Sequence, residues 1–131
     1  MTDYYDLGTY GRPVTTTSPE TQLWFDRGLL WCYGFNHEES VCCFRKAAQH
    51  DAGCAMAYWG IAYASGCNYN KQWEAFGAEE LKEALAESRH ATDTALATLD
   101  GATPAERALI GALEARYQSD IVIEIEATAT I

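Results

Sequence analysis

Three groups of side chains in the sequence have types and spacings that could do chemistry. His37, Cys54 and Met56 offer an imidazole, a thiol and a thioether, a donor set suited to a soft metal such as copper(I). His37 falls at the start of one helical pattern and Cys54 at the start of the next, roughly 20 Å apart at 1.5 Å per residue, which argues against one shared ion. His37, Glu38 and Glu39 could form an acid-base group, but Asn36 and Glu39 already serve as helix-capping residues. No Ser, Cys or second His is placed by the sequence alone to complete a constellation with them. His50 and His90 read as exposed helix residues. Phosphate loops, dinucleotide fingerprints, GxSxG, HExxH and zinc-finger spacings are absent. The expectation is therefore no enzyme and no cofactor, with soft-metal binding through His and Cys kept as the alternative.

The third group is aromatic. The stretch NYNKQWEAFG places Asn68, Tyr69, Asn70 and Trp73 side by side, giving hydrogen-bonding and stacking groups in a loop. Tyr69 and Trp73 are thus candidates for contact with a partner, as a lid beside the preceding helix. The commoner role of such a loop is a long connection pinned down by its tryptophan.

Composition narrows the partner. Nine Lys and Arg stand against 19 Asp and Glu, a formal charge of -10, and such a field repels phosphate backbones. Nucleic acid and anionic membranes are excluded as expected partners, and a basic or neutral peptide fits better. Hydrophobic residues make up 48% and aromatic residues 12%, which is the make-up of a folded domain. The uncharged run from Ala52 to Asn70 is broken by Gly53, Gly60 and Gly66, too short an apolar stretch to cross about 30 Å of hydrocarbon. The N-terminus has no basic-then-apolar leader. Five cysteines, Cys32, Cys42, Cys43, Cys54 and Cys67, are an odd number without CxxC spacing, which points to a reduced, cytoplasmic protein.

These side chains need elements to hold them. Residues 1–17, with Gly8, Gly11 and Pro13, read as an extended lead-in, tacked down by Tyr5, Leu7 and Tyr10. Residues 18–118 read as a helical array. Ser18 before Pro19 is an N-cap followed by a first-turn proline and opens a helix near 19–34. Asn36 and Glu39 open a second near 37–50, with Val41, Phe44, Ala47 and Ala48 inward. Helices near 54–66 and 78–100 follow, the latter with an acidic stripe of Glu79, Glu83 and Glu87. Thr103, Pro104 and Glu106 start a fifth near 104–118. Residues 119–131, with IVIEIEATATI, turn to β-branched alternation and read as a strand or a disordered end, an aggregation liability if exposed.

Trp24, Gly28 and Trp31 lie at i, i+4 and i+7, and Ser40, Phe44 and Ala47 repeat that spacing. Tyr58 and Ala62 stand 34 positions after Trp24 and Gly28. On these residues the chain resembles a tetratricopeptide repeat (TPR) protein, although Arg27 stands where that family usually has Leu or Ala, and Ala52 where it usually has Pro. The string FNHEESVCCFRKAA with CAMAYWGIAYA also looks like larger TPR-repeat proteins, of which this chain would be an N-terminal part. The resemblance implies an all-α fold of antiparallel helix-pair repeats, a TPR-like right-handed α-solenoid. It also implies a scaffold that binds a protein or peptide partner on a concave surface lined by the first helix of each pair. The matching residues are Phe25, Leu29 and Tyr33, then Trp59 and Tyr63. They are apolar and aromatic and lack the Lys, Arg and Asn that clamp acidic peptide ends, so a hydrophobic segment is the expected ligand. Core packing is the commoner role for any one of them. The array lacks a final helix and would offer its open C-terminal repeat for self-association.

Overall fold

The computed structural model describes residues 4–66 and 73–129, with only the backbone described for residue 73 and residues 117–129. Among the described residues the chain is all-helical, without strands: α1 (Pro19–Tyr33), α2 (His37–His50), α3 (Ala55–Ser65), a 3-10 turn (Trp73–Ala75), α4 (Ala78–Ala97) and α5 (Pro104–Ala129).

The helix starts follow from capping chemistry. Thr21 N donates to Ser18 Oγ at 3.1 Å, with Pro19 in the first turn where its missing N–H does no harm. Glu39 N donates to Asn36 Oδ1 at 3.1 Å. At α5 the reciprocal box is complete: Glu106 N donates to Thr103 Oγ1 at 3.1 Å and Thr103 N to Glu106 Oε1 at 2.9 Å. The first helix ends in a chain reversal. Asn36 N reaches back to Trp31 O at 2.9 Å, with Phe35 in the left-handed region at φ 66°. The fourth helix ends at Ala97 rather than near residue 100, because the Thr98 hydroxyl bonds back to Thr94 and Ala95 carbonyls and Gly101 turns the chain at φ 80°.

One expectation is overturned at the C-terminus. Residues 119–129, read as strand or disorder, continue α5. The alternation of IVIEI spans only a few positions, and the run from Ala112 to Ala129 has no Gly or Pro and is rich in Ala and Glu. β-branching lowers helix propensity by tenths of a kcal/mol per residue, less than a breaker would.

The core is built around Phe44. It is fully buried, its ring lies 5.4 Å from Phe25, and it fills the notch left by two glycines. A Cβ at Gly28 would sit 2.6 Å from Phe44 Cε1, and one at Gly60 would clash with the same ring. The backbones of α1 and α3 therefore close on α2 from two sides. Two buried hydroxyls bond carbonyls of the facing helix: Ser40 Oγ donates to Gly28 O at 2.6 Å and Thr21 Oγ1 to Ala47 O at 2.9 Å. Each satisfies a polar group that would otherwise be costly to bury. Neighbours in sequence pack most extensively, α1 on α2, α2 on α3 and α3 on α4, while α3 also meets α1 and α5.

Candidate functional site

Two exposed rings, Tyr33 and Tyr63, lie on α1 and α3, with the half-buried Trp59 between Tyr63 and the core. Trp59 and Tyr63, one turn apart on α3, are stacked with centroids 5.0 Å apart and planes 11° apart. Behind them the Phe25 ring lies 6.5 Å from Trp59 and packs in turn on Phe44, so the surface pair is rooted in the core. Tyr33, the last residue of α1, is 56% exposed, and Tyr63 is 39% exposed. Tyr10 of the lead-in meets the Tyr33 ring edge-on at 6.0 Å. The Tyr33 phenol is pushed up by burial and then by Tyr10, with smaller effects from Cys32 and Tyr63, so it stays neutral at physiological pH. Ring faces and hydroxyls, not charge, are what Tyr33 presents.

Two residues expected in this surface are elsewhere. Phe25 is 0% and Leu29 3% exposed, both inside the core. Their spacing marks a buried face of α1, but that face is covered by α2 and α3 and not left for a ligand. Tyr69 lies outside the described residues, and Trp73 opens the 3-10 turn with its side chain outside them.

The metal candidates do not converge. His37 is the first residue of α2, Cys54 is the residue before α3, and the 14-residue helix α2 intervenes. Cys54 and Met56 are buried, and burial pushes the Cys54 thiol up, away from the thiolate a soft metal would bind. Among the described residues no group of three or more His, Cys, Asp or Glu is placed to hold an ion.

Two anchors hold the lead-in, one at Tyr4 and one at Glu106. Tyr4 is its first anchor, beside the edge-on contacts of Tyr5 with Trp31 and of Tyr10 with Tyr33. The Tyr4 hydroxyl accepts from Trp31 Nε1 at 2.5 Å, donates to Glu39 Oε1 at 3.1 Å and lies 3.2 Å from Cys43 Sγ. Arg27 lies over both the Tyr4 and Trp24 rings, at 4.2 and 4.5 Å from their centroids, and Lys46 over Trp24 at 4.3 Å. This explains Arg27 in a largely apolar stretch: its cation is matched by the Trp24 face of its own helix and by the Tyr4 face brought in from the lead-in. The second anchor is Glu106. Burial alone would raise its carboxyl, but hydrogen bonds from Thr103 and Thr15 outweigh this and hold it below the usual carboxylate range.

A hollow of about 570 Å³ lies between α2, α4 and the end of α3, lined by Glu38, Glu80, Glu83 and Glu87 with Arg45. Arg45 pairs with Glu87, both partly exposed, so this bridge contributes at most about 1 kcal/mol. No helix of the described residues is long and apolar enough to cross a membrane. Comparison with protein-family models, curated proteins and solved structures gave no match for the chain.

Proposed function

We propose that the chain is a TPR-like interaction module that binds a short apolar or aromatic segment of a partner protein against Tyr33, Trp59 and Tyr63. The observation that carries this reading is the stacked Trp59 and Tyr63 pair with Tyr33 beside it, large rings left partly in water on neighbouring helices. Exposed aromatic groups fixed by a packed core lose little entropy on binding, which is why such residues dominate interfaces. The packing order also supports a helix-pair array, since each helix meets its sequence neighbours and α3 touches both α1 and α5.

In this mechanism an apolar side chain of the partner covers the exposed face of Tyr63 and the edge of Tyr33. The acidic side chains of α4 and α2 draw basic flanks toward the module. No covalent step is involved. Cys32, Cys42, Cys43 and Cys54 are all free thiols, in keeping with a reducing, cytoplasmic setting.

Peptide display on the immobilised chain tests the reading. Selection on the wild type should enrich apolar or aromatic peptides with basic flanks. The enrichment should be lost on Tyr33→Ala and Tyr63→Ala and kept on His90→Ala. Equal recovery on all four proteins would overturn it.

A further inference from the structure

Residues 10–16 are neither helix nor strand, with a bend at Thr15, and side chains of α1 and α5 take up several of their main-chain groups. A fixed track does so. Arg12 N donates to Asp26 Oδ1 at 3.0 Å, and Gln22 Nε2 donates to Arg12 O at 2.8 Å. Val14 N donates to Gln22 Oε1 at 3.0 Å, and Thr15 N to Glu106 Oε2 at 2.8 Å. Gln22 and Asp26 are one turn apart on α1, and Gln22 Nε2 also bonds Asp26 Oδ1 at 2.9 Å, so the two hold each other in place. Gly11 passes so close to α1 that a Cβ there would lie 2.5 Å from Asp26 Oδ2. At one end the segment reaches Tyr33 through Tyr10. At the other it roofs a cavity of about 250 Å³ whose floor includes Met56 of α3 and Leu109 of α5.

The three track residues address the main chain of the segment: the N–H groups of Arg12, Val14 and Thr15 and the carbonyl of Arg12. Thr15 also gives the track its side chain, Oγ1 donating to Glu106 Oε1 at 2.7 Å, while off the track Thr16 Oγ1 donates to Asp51 Oδ2 at 2.5 Å and Val14 packs against the core. Such a track holds extended peptide through its main chain, as edge-strand recognition does, and asks for a small residue where Gly11 passes Asp26. With two carboxylates among its three residues it favours neutral or basic segments over acidic ones.

We propose that Gln22, Asp26 and Glu106 form a main-chain-binding track, that residues 10–16 are its resident occupant, and that an extended partner segment of neutral or basic character binds by displacing this strap. The proposal rests on the interaction-module reading and adds to it both the conformation of the ligand and a built-in competitor. Because the strap is tethered, its effective concentration is in the millimolar range, so a free peptide competes poorly until the strap is loosened.

The probe is a fluorophore-labelled synthetic peptide with the sequence of residues 8–17, titrated by anisotropy into the full chain. Two full-chain variants, Val14→Pro and Thr15→Pro, each delete one main-chain donor from the strap and leave α1 and α5 intact, with folding checked by circular dichroism. Hydrogen exchange on the wild type, which needs no variant, reads the amides of Arg12, Val14 and Thr15. The expected result is slow exchange at these three amides and at least tenfold tighter peptide binding by the proline variants than by the wild type. That gain should be abolished by adding Gln22→Ala. Fast exchange of all three amides in the wild type, or equal or undetectable peptide binding by wild type and folded variants, overturns the strap. Neither readout involves Trp59 or Tyr63, so failure of the aromatic groove in the display experiment and failure of the strap here are separate results.

Discussion

Thr15 and Glu106, 91 residues apart in sequence, are joined by two hydrogen bonds, from the Thr15 amide at 2.8 Å and its hydroxyl at 2.7 Å. The same carboxylate completes the N-terminal box of α5 through Thr103, so one buried side chain fixes both a helix start and the lead-in that crosses it.

A pH dependence follows. Because the Glu106 carboxyl is lowered in the folded state, its stabilisation is complete above the unfolded glutamate value of about 4.3 and is lost as pH falls through the folded value. Urea unfolding followed by circular dichroism should show Glu106→Gln about 1–3 kcal/mol less stable than the wild type at pH 7. The gap should narrow as pH falls below about 4. A gap independent of pH would mean that the charge is not what matters at this position.

Gly28 and Gly111 should respond in opposite directions to the same change. Alanine at Gly28 drives a methyl into the Phe44 ring and should cost about 1–3 kcal/mol. At Gly111, inside α5, a Cβ would meet nothing within 4 Å, and alanine should be neutral or stabilise by up to about 1 kcal/mol. Thermal melts of the two variants decide this, and a stable Gly28→Ala would contradict the close packing of α1 on Phe44.

Phe35 holds a left-handed backbone at φ 66° while its side chain is 61% exposed, so it bears conformational strain with little burial in return. Phe35→Gly should raise stability by about 1 kcal/mol in urea titration. A loss of stability would show that the ring contributes packing near His37, whose ring lies 6.5 Å away.

Thiol labelling should follow burial. Cys42 is exposed, whereas Cys32, Cys43 and Cys54 are buried and their thiols are pushed up by burial. With iodoacetamide on the native chain, peptide mass spectrometry should find Cys42 modified well before those three. Early modification of Cys43 would mean that the Tyr4 anchor opens readily.

The helix starts were legible because Ser18 with Pro19 and Thr103 with Glu106 are local signals that act within one turn. The core was legible at Phe44 because its neighbours repeat at helical spacing. Phe25 and Leu29 were misplaced because periodicity marks a face that must be covered without saying whether the cover belongs to this chain or to a partner. The strap was legible as a lead-in through Gly8, Gly11 and Pro13, but its hydrogen-bond partners were not. Its bonds join Arg12 to Asp26 and Thr15 to Glu106, and a segment bonded largely through its main chain leaves no periodic pattern of side chains. Arg27, noted only as a departure from the repeat pattern, marks the other anchor, since its aromatic partner Tyr4 lies in the lead-in. The helical course of residues 119–129 was hidden by a short alternation that fits either period.

The aromatic surface is tested most directly by isothermal titration of a display-selected peptide into the wild type and Tyr63→Ala. Removing a ring that stacks on Trp59 should weaken binding at least tenfold, about 1.4 kcal/mol, while the melting curve stays close to that of the wild type. Unchanged affinity in a folded Tyr63→Ala protein would contradict a binding role for the pair and leave Trp59 and Tyr63 as the outer edge of the core.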